Sequence, residues 1–175
     1  MEVKILKESG FEEAMLGLSL SYNKPVDLMP TVAEKLAPVG VGHNKFLESM
    51  CVWIDIRAPL DFWIQYDTYR ISMSKQSEST MHTLKRRRLR QEDFEGGIDV
   101  AYLAHLNSCI DGNIPIDVLK KKLPCGFLQR RIVCTNYKTL QNIIRQRSKH
   151  KLPQWQVFCE TMRSLEHYSM ISIDE

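Results

Sequence analysis

The sequence predicts an α+β fold on three observations. Residues 50–57, M-C-V-W-I-D-I-R, alternate: Val52, Ile54 and Ile56 share one face and Trp53, Asp55 and Arg57 the other. That is the period-two pattern of a half-buried strand. Leu140, Ile143, Ile144 and Arg147 fall at i, i+3, i+4 and i+7, the spacing of one helix face. No internal repeat or linker composition interrupts the 175 residues, so 1–175 reads as a single domain long enough to bury a real core.

The remaining elements follow in chain order. Residues 1–6 read as a short strand and 11–19 as a short helix. Pro25 and Pro30 punctuate a turn before a brief helix, T-V-A-E-K-L-A, capped by Thr31. Pro59 suits the first turn of a helix that carries Phe62, Trp63 and Tyr66 inward and ends at Arg70. The stretch 72–82, S-M-S-K-Q-S-E-S-T-M-H, is rich in hydroxyls and lacks strong periodicity, which predicts a loop. Gly96 and Gly97 break the chain before a helix at about 98–110 with Ile98, Tyr102, Leu106 and Cys109 inward. The turn D-G-N at 111–113 precedes a short helix from Pro115 through Lys121. Arg130 to Thr135 reads as a second strand, and Thr135 or Asn136 caps the helix bearing Arg147. Pro153 opens a last helix with Trp155, Phe158, Cys159, Met162 and Leu165 at core spacing.

Composition narrows the function classes. The chain is 43% hydrophobic and 26% charged, ordinary for a soluble globular protein. No apolar run reaches the ~18–20 residues of a membrane span and the N-terminus has no signal-type apolar region; the expected compartment is the cytoplasm. The net charge is +3, and the run K-R-R-R-L-R at 85–90 holds five of the 24 Lys and Arg residues. It is one basic patch, either a solvated face or an attractor of phosphate on a nucleotide or nucleic acid. Nucleic-acid binding is the weakest of these readings, since no recognised fold motif accompanies the patch. Five cysteines with no C-x-x-C spacing argue against a disulfide framework and against a metal site.

A guanidinium on an apolar stripe is costly unless something polar or anionic meets it, so Arg147 needs a partner. A ligand would serve, and so would a buried carboxylate such as Asp55 or Asp67. The hydroxyls and backbone N–H groups of 72–82 offer a second place for an anion.

Distributed motifs then give a family resemblance. G-H-N-K-F-L-E (42–48) leads through the strand into R-A-P-L (57–60) and Q-Y-D-T-Y-R-I (65–71). I-D-G-N-I-P-I-D-V-L-K-K-K-L-P (110–124), T-N-Y-K-T-L-Q-N-I-I-R-Q-R (135–147) and L-P-Q-W (152–155) follow in order. The chain resembles the flavin-dependent thymidylate synthases, the ThyX family, over roughly 36–160. The resemblance implies a central antiparallel or mixed sheet flanked by helices. It also implies reduction of FAD by NADPH, methylenetetrahydrofolate as carbon donor, a pyrimidine deoxynucleotide methylated at C5, and a homotetramer with sites built between subunits.

Residue by residue, His43 stands where the family has a histidine near the flavin, Asn136 where it has a flavin-contacting asparagine, and Arg70 at the last arginine of the R-H-R signature. Lys138 replaces an arginine beside the flavin. Gln65 matches a nucleotide-contacting glutamine. Arg130 and Arg147 match arginines holding the deoxyuridylate, and Ser79 matches a serine that receives its phosphate. Arg147 is the candidate catalytic residue: facing the pyrimidine carbonyl, it would favour the electron-rich form that develops at C5. The departures are also specific. R-H-R is Thr68, Tyr69 and Arg70 here, the following glutamate falls near Gln76 or Ser77, and its arginine at Met81. An arginine-to-threonine change removes five donors and a fixed charge. A second expectation follows: a relative without flavin chemistry, serving as a nucleotide-binding or protein-interaction module. Asp67 and Glu78, beside the altered signature, are candidate readers of a cytosine amino group.

Overall fold

The alternation of 50–57 is realised as one of the two interior strands of a four-stranded antiparallel sheet. A computed structural model describes residues 1–172; the last three residues of the expected 1–175 domain lie outside that range. The strands are β1 (Glu2–Ser9), β2 (Cys51–Pro59), β3 (Ser74–Ser77) and β4 (Leu128–Asn136) in the order β1-β2-β4-β3. Every pairing is antiparallel, which settles the antiparallel-or-mixed expectation. The helices are α1 (Phe11–Tyr22), α2 (Met29–Leu36), α3 (Leu60–Tyr66), α4 (Thr80–Thr83), α5 (Val100–Asp111), α6 (Ile116–Lys121), α7 (Tyr137–Arg147) and α8 (Pro153–Met162). No described helix is long and apolar enough to cross a membrane.

One face of β2 is the core: Val52, Ile54, Ile56 and Ala58 are fully buried, with Val133 of β4 beside them. Helices α3, α7 and α8 supply Phe62, Trp63, Tyr66, Leu140, Ile143, Ile144, Trp155 and Phe158 to the same cluster. Burying side chains of this size is worth roughly 1.5–3 kcal/mol each before chain entropy is charged against it. A smaller cluster of Leu84, Leu89, Phe94, Leu106, Leu119 and Phe127 sits with α5 and α6. The opposite sheet face carries Trp53, Asp55 and Arg57, with Cys134, Ile132 and Arg130 directly across from them on β4.

Local chemistry explains several boundaries. Asn136 ends β4 and caps α7: its Oδ1 accepts from the Thr139 backbone N–H at 2.9 Å. Asp99 does the same for α5 through the Tyr102 backbone N–H. Gly10, between β1 and α1, has φ +90, and a Cβ there would lie 2.3 Å from the Ser49 carbonyl oxygen. Only glycine permits this close approach.

Four expectations are corrected. The stretch 72–82 is not all loop: Ser74–Ser77 pair with β4 and Thr80–Thr83 form a helical turn, because the exposed edge of β4 supplies the hydrogen bonds that local pattern does not. Helix α3 ends at Tyr66 rather than Arg70, closed by a turn whose Thr68 hydroxyl donates to the Gln65 carbonyl at 2.7 Å. Helix α2 begins at Met29, ahead of Thr31, with Pro30 in its first turn and no side-chain cap. Ile98 precedes α5, and Tyr102 is 39% exposed there, while Leu106 is fully buried.

Candidate functional site

Arg147 occupies the last turn of α7 and packs against aromatic rings. Its guanidinium carbon lies 4.7 Å from the Trp155 ring centroid and 5.7 Å from that of Tyr69. Its Nε donates to the Tyr69 hydroxyl at 2.9 Å, and that hydroxyl donates onward to Gln146 Oε1 at 2.9 Å. No carboxylate lies within ion-pair distance of Arg147 among the described residues. The two carboxylates expected as alternatives are taken: Asp55 by Arg130, Asp67 by Lys75 and Arg131.

Gln65 joins the same group from α3. Trp155 Nε1 donates to its Oε1 at 3.0 Å, so Gln65, Trp155, Arg147 and Tyr69 form one connected constellation. Beneath it lies a ladder of rings. Trp155 packs on Phe62 at 4.7 Å and Tyr66 at 6.0 Å between centroids. Tyr66 is fully buried, which raises its phenol far above the usual value, and its hydroxyl has no protein partner. It is therefore a packing residue rather than an acid.

Tyr69 also lines a cleft of about 580 Å³ with Arg70, Ile71, Lys138, Asn142 and Arg145, within the size range of small-molecule sites. Three basic residues line it, with Glu48 the acidic group among the lining residues. Lys138 is half-buried and donates to Asn44 Oδ1 at 2.5 Å. Asn136 is committed elsewhere: besides capping α7, its Nδ2 donates to the Glu48 carbonyl at 2.9 Å. His43 lies in a second groove, of about 650 Å³, with Glu13, Tyr22, Phe46 and Glu48. Glu48 borders both spaces.

Arg130 and Ser79 stand at the other end of β4. Asn136 lies six residue steps along the strand from Arg130, roughly 20 Å. The Glu78 backbone N–H donates to the Arg130 carbonyl at 2.8 Å, which brings the Ser79 backbone near Arg130. The Arg130 guanidinium forms a two-point pair with Asp55 at 2.8 and 2.5 Å. Those hydrogen bonds hold the Asp55 carboxyl below the usual carboxylate range, against partial burial and with help from Lys4. Within one chain, then, the candidates are dispersed: Gln65 with Arg147, Arg70 with Lys138 in the cleft, Ser79 with Arg130, His43 in the second groove, and Asn136 at the N-cap of α7.

Most of the basic run is paired within the chain; Arg86 has no side-chain hydrogen bond or ion pair among the described residues. Of the 85–90 run, Arg87 pairs with Asp93 at 2.6 Å, Arg88 with Asp111 and Arg90 with Glu92. Lys85 bonds Asn113 and the Ile114 carbonyl. Asp67 is pushed up by burial, but the hydrogen bonds and charges of Lys75 and Arg131 outweigh this and keep it below the usual range. Both of its oxygens accept from these cations, so a cytosine amino group would have to share them. All five cysteines are free; burial, then the nearby Cys51, raises the Cys134 thiol, and burial pushes Cys159 up to about 11. No set of three or more metal-ligating side chains is present among the described residues.

Sequence reading passed over two participants. Trp155 was expected as a core residue, and it is one, yet it also contacts both Gln65 and Arg147. Arg145 joins Arg70 and Lys138 in the cleft. Its signal was available: it lies seven residues after Lys138, two helical turns along one side of α7.

No protein-family model matches the chain, and no curated protein matches it. Solved structures do. A flavin-dependent thymidylate synthase ThyX from Helicobacter pylori, complexed with FAD and dUMP, aligns with a TM-score of 0.84 at 16% identity, covering 98% of this chain and 97% of that one. A second structure of thymidylate synthase X from Helicobacter pylori, with FAD and dUMP, aligns with a TM-score of 0.80 at 17% identity over 95% of this chain and 94% of the other. At this identity the likeness carries the fold alone: the chain has the α+β fold of the ThyX flavin-dependent thymidylate synthases across almost its whole described length.

Proposed function

We propose that the chain is a flavin-dependent thymidylate synthase-like enzyme acting at C5 of a pyrimidine deoxynucleotide monophosphate, with 1–175 as one ThyX-like domain. The observation that carries this is the Gln65–Trp155–Arg147 constellation. In a fold shared with a dUMP-binding protein, a glutamine and an arginine matching nucleotide-contacting positions come together on one indole, and the arginine has no carboxylate partner. Arg147 polarises the pyrimidine carbonyl and Gln65 orients the ring. Arg130 and Ser79 receive the phosphate. A homotetramer accounts for their distance from the cleft, since a second subunit can bring that end of β4 to another subunit's Arg70 and Lys138.

The cleft residues fit a flavin nucleotide in one respect: Arg70, Lys138 and Arg145 supply positive charge for its phosphates in a space of suitable size. The chemistry brought by bound FAD is hydride delivery, with NADPH as reductant and methylenetetrahydrofolate as one-carbon donor. His43, in the groove that shares Glu48 with the cleft, would be a further residue to hold the flavin.

A second reading has its own support. Asn136 has its amide engaged at both ends, and Thr68 and Tyr69 replace two basic residues of the R-H-R signature. These favour a relative that keeps the nucleotide pocket without flavin chemistry, as a nucleotide-binding or protein-interaction module. Titration of the purified protein with FAD, with and without dUMP, separates the two. A shifted, quenched flavin spectrum that responds to dUMP supports the enzyme, to be followed by turnover with NADPH and methylenetetrahydrofolate. No flavin signal, with dUMP binding detected by calorimetry, supports the module. Loss of both overturns the nucleotide reading.

A further inference from the structure

Arg145 lines the cleft beside Arg70 and Lys138, and it also lines a groove of about 590 Å³ formed with Gln146, Ser148, Lys149, His150 and Lys151. No acidic side chain borders this groove among the described residues. Arg145, Lys149 and Lys151 are exposed and form no ion pair among the described residues. Arg145 reaches the Pro38 carbonyl only at 3.5 Å. The negative end of the α7 dipole accounts for the basic residues of its last turn, Arg145 and Arg147. Lys149 and Lys151 lie beyond that turn, where the dipole no longer explains them. Their segment is nevertheless held in place. The His150 backbone N–H donates to the Arg147 carbonyl at 3.0 Å, the Leu152 backbone N–H to His150 Nδ1 at 3.2 Å, and Gln156 Nε2 to the His150 carbonyl at 2.8 Å. A pinned turn thus carries two lysines onward from the basic residues of the cleft.

We infer that this groove receives a flexible chain of carboxylates leaving the cleft: the oligo-γ-glutamyl tail of a folate co-substrate, met by Arg145, Lys149 and Lys151. The choice among anions follows from the groups present. Lysine is a compact charge on a flexible stem, which suits a mobile chain of single charges, whereas planar two-point clamping of phosphate belongs to arginine. No glycine lines the groove, and it meets the C-terminal end of α7 rather than a helix N-terminus, so it lacks the backbone N–H cradle of a phosphate site. The one ring in its lining, His150, stands edge-on to Trp155, at 68° and 6.2 Å between centroids. It therefore offers no row of aromatic platforms for the bases of a nucleic-acid strand. An oligocarboxylate needs only cations at intervals, which is what the groove supplies. The inference rests on the proposed function, in which methylenetetrahydrofolate is the carbon donor, and adds where its tail goes.

The test compares the dissociation constants of tetrahydrofolate monoglutamate and tetrahydrofolate penta-γ-glutamate, measured by calorimetry on the full chain with FAD and dUMP present. The wild type binds the pentaglutamate roughly five- to thirtyfold more tightly, the scale of two or three exposed ion pairs, and the advantage shrinks as salt is raised. The double variant Lys149→Gln/Lys151→Gln brings the ratio toward one, chiefly by weakening the pentaglutamate. Lys149→Glu/Lys151→Glu reverses it, so that the monoglutamate binds better. Both side chains are exposed, so the fold does not depend on them. A wild-type ratio of one, or a ratio unchanged in the double variants, overturns the inference. So does a ratio of one together with oligothymidylate binding that depends on Lys149 and Lys151, which would assign the groove to nucleic acid. Titration with FAD and dUMP alone reads the proposed function separately. If both bind and the folate ratio is one, or no folate binds, this inference falls by itself; if FAD, dUMP and folate all fail to bind, the proposed function falls with it.

Discussion

Asp55 of β2 holds Arg130 of β4 in a two-point ion pair across the uncovered face of the sheet, at 2.8 Å to Nε and 2.5 Å to Nη2. A phosphate claiming Arg130 must displace this carboxylate. Asp55→Asn therefore strengthens dUMP binding, by up to about fivefold, the scale of an exposed ion pair. Calorimetry of the variant checks it; weaker or unchanged binding removes Arg130 from the phosphate role. The pair also fixes a titration. The folded-state value of Asp55 is depressed, so its stabilising contribution is present above the ordinary carboxylate value and is lost as pH falls through the folded one. Arg130→Gln should raise the Asp55 midpoint in a carboxyl NMR titration.

Tyr69 stands where the resembled family has the histidine of its signature, and here its hydroxyl both accepts from Arg147 and donates to Gln146. Tyr69→Phe keeps the ring and removes both bonds. The expected cost is about 1 kcal/mol of stability, read from urea unfolding, and a roughly five- to tenfold loss of dUMP affinity as Arg147 gains freedom. A stability loss without an affinity loss would make Tyr69 purely structural.

Asp93 is buried beneath the basic run and accepts from Arg87 and from the Arg90 backbone N–H. Burial raises its pKa, but those partners and Arg57 outweigh it and hold the carboxyl below the usual range. Its contribution is therefore complete at neutral pH and disappears as pH falls through the depressed value. Asp93→Asn should lower the melting temperature at pH 7 and flatten its decline below about pH 4. An identical acid profile in variant and wild type would contradict this.

Gly10→Ala places a methyl group 2.3 Å from the Ser49 carbonyl at a positive φ. The strain and the clash together cost roughly 1–3 kcal/mol, measured as a lower denaturation midpoint. Gly17→Ala is the control, since nothing lies within 4 Å of a Cβ there and alanine favours the helix.

Much of this molecule was legible in its residue pattern. The alternation at Val52, Ile54 and Ile56 and the stripe at Leu140, Ile143 and Ile144 report burial directly, because a side chain's face follows from backbone period alone. All six are buried where the pattern puts them. The capping role of Asn136 is equally local, needing only the backbone N–H three residues on. Strand β3 was illegible for the converse reason: Ser74–Ser77 have no apolar face, and their pairing is decided by β4, more than fifty residues later in the chain.

The candidate site divides along the same line. Sequence by itself determined that Arg147 shares a helix face with apolar residues and so requires a partner, and that Gln65, Arg130 and Ser79 stand in an ordered set of motifs. Only the tertiary structure decided what each side chain meets. Asp55 goes to Arg130 and Asp67 to Arg131 and Lys75, while Arg147 stacks on Trp155 and bonds Tyr69. Backbone period fixes which face a residue occupies, but a charged side chain's partner depends on which distant segments the packed core brings within a few ångströms.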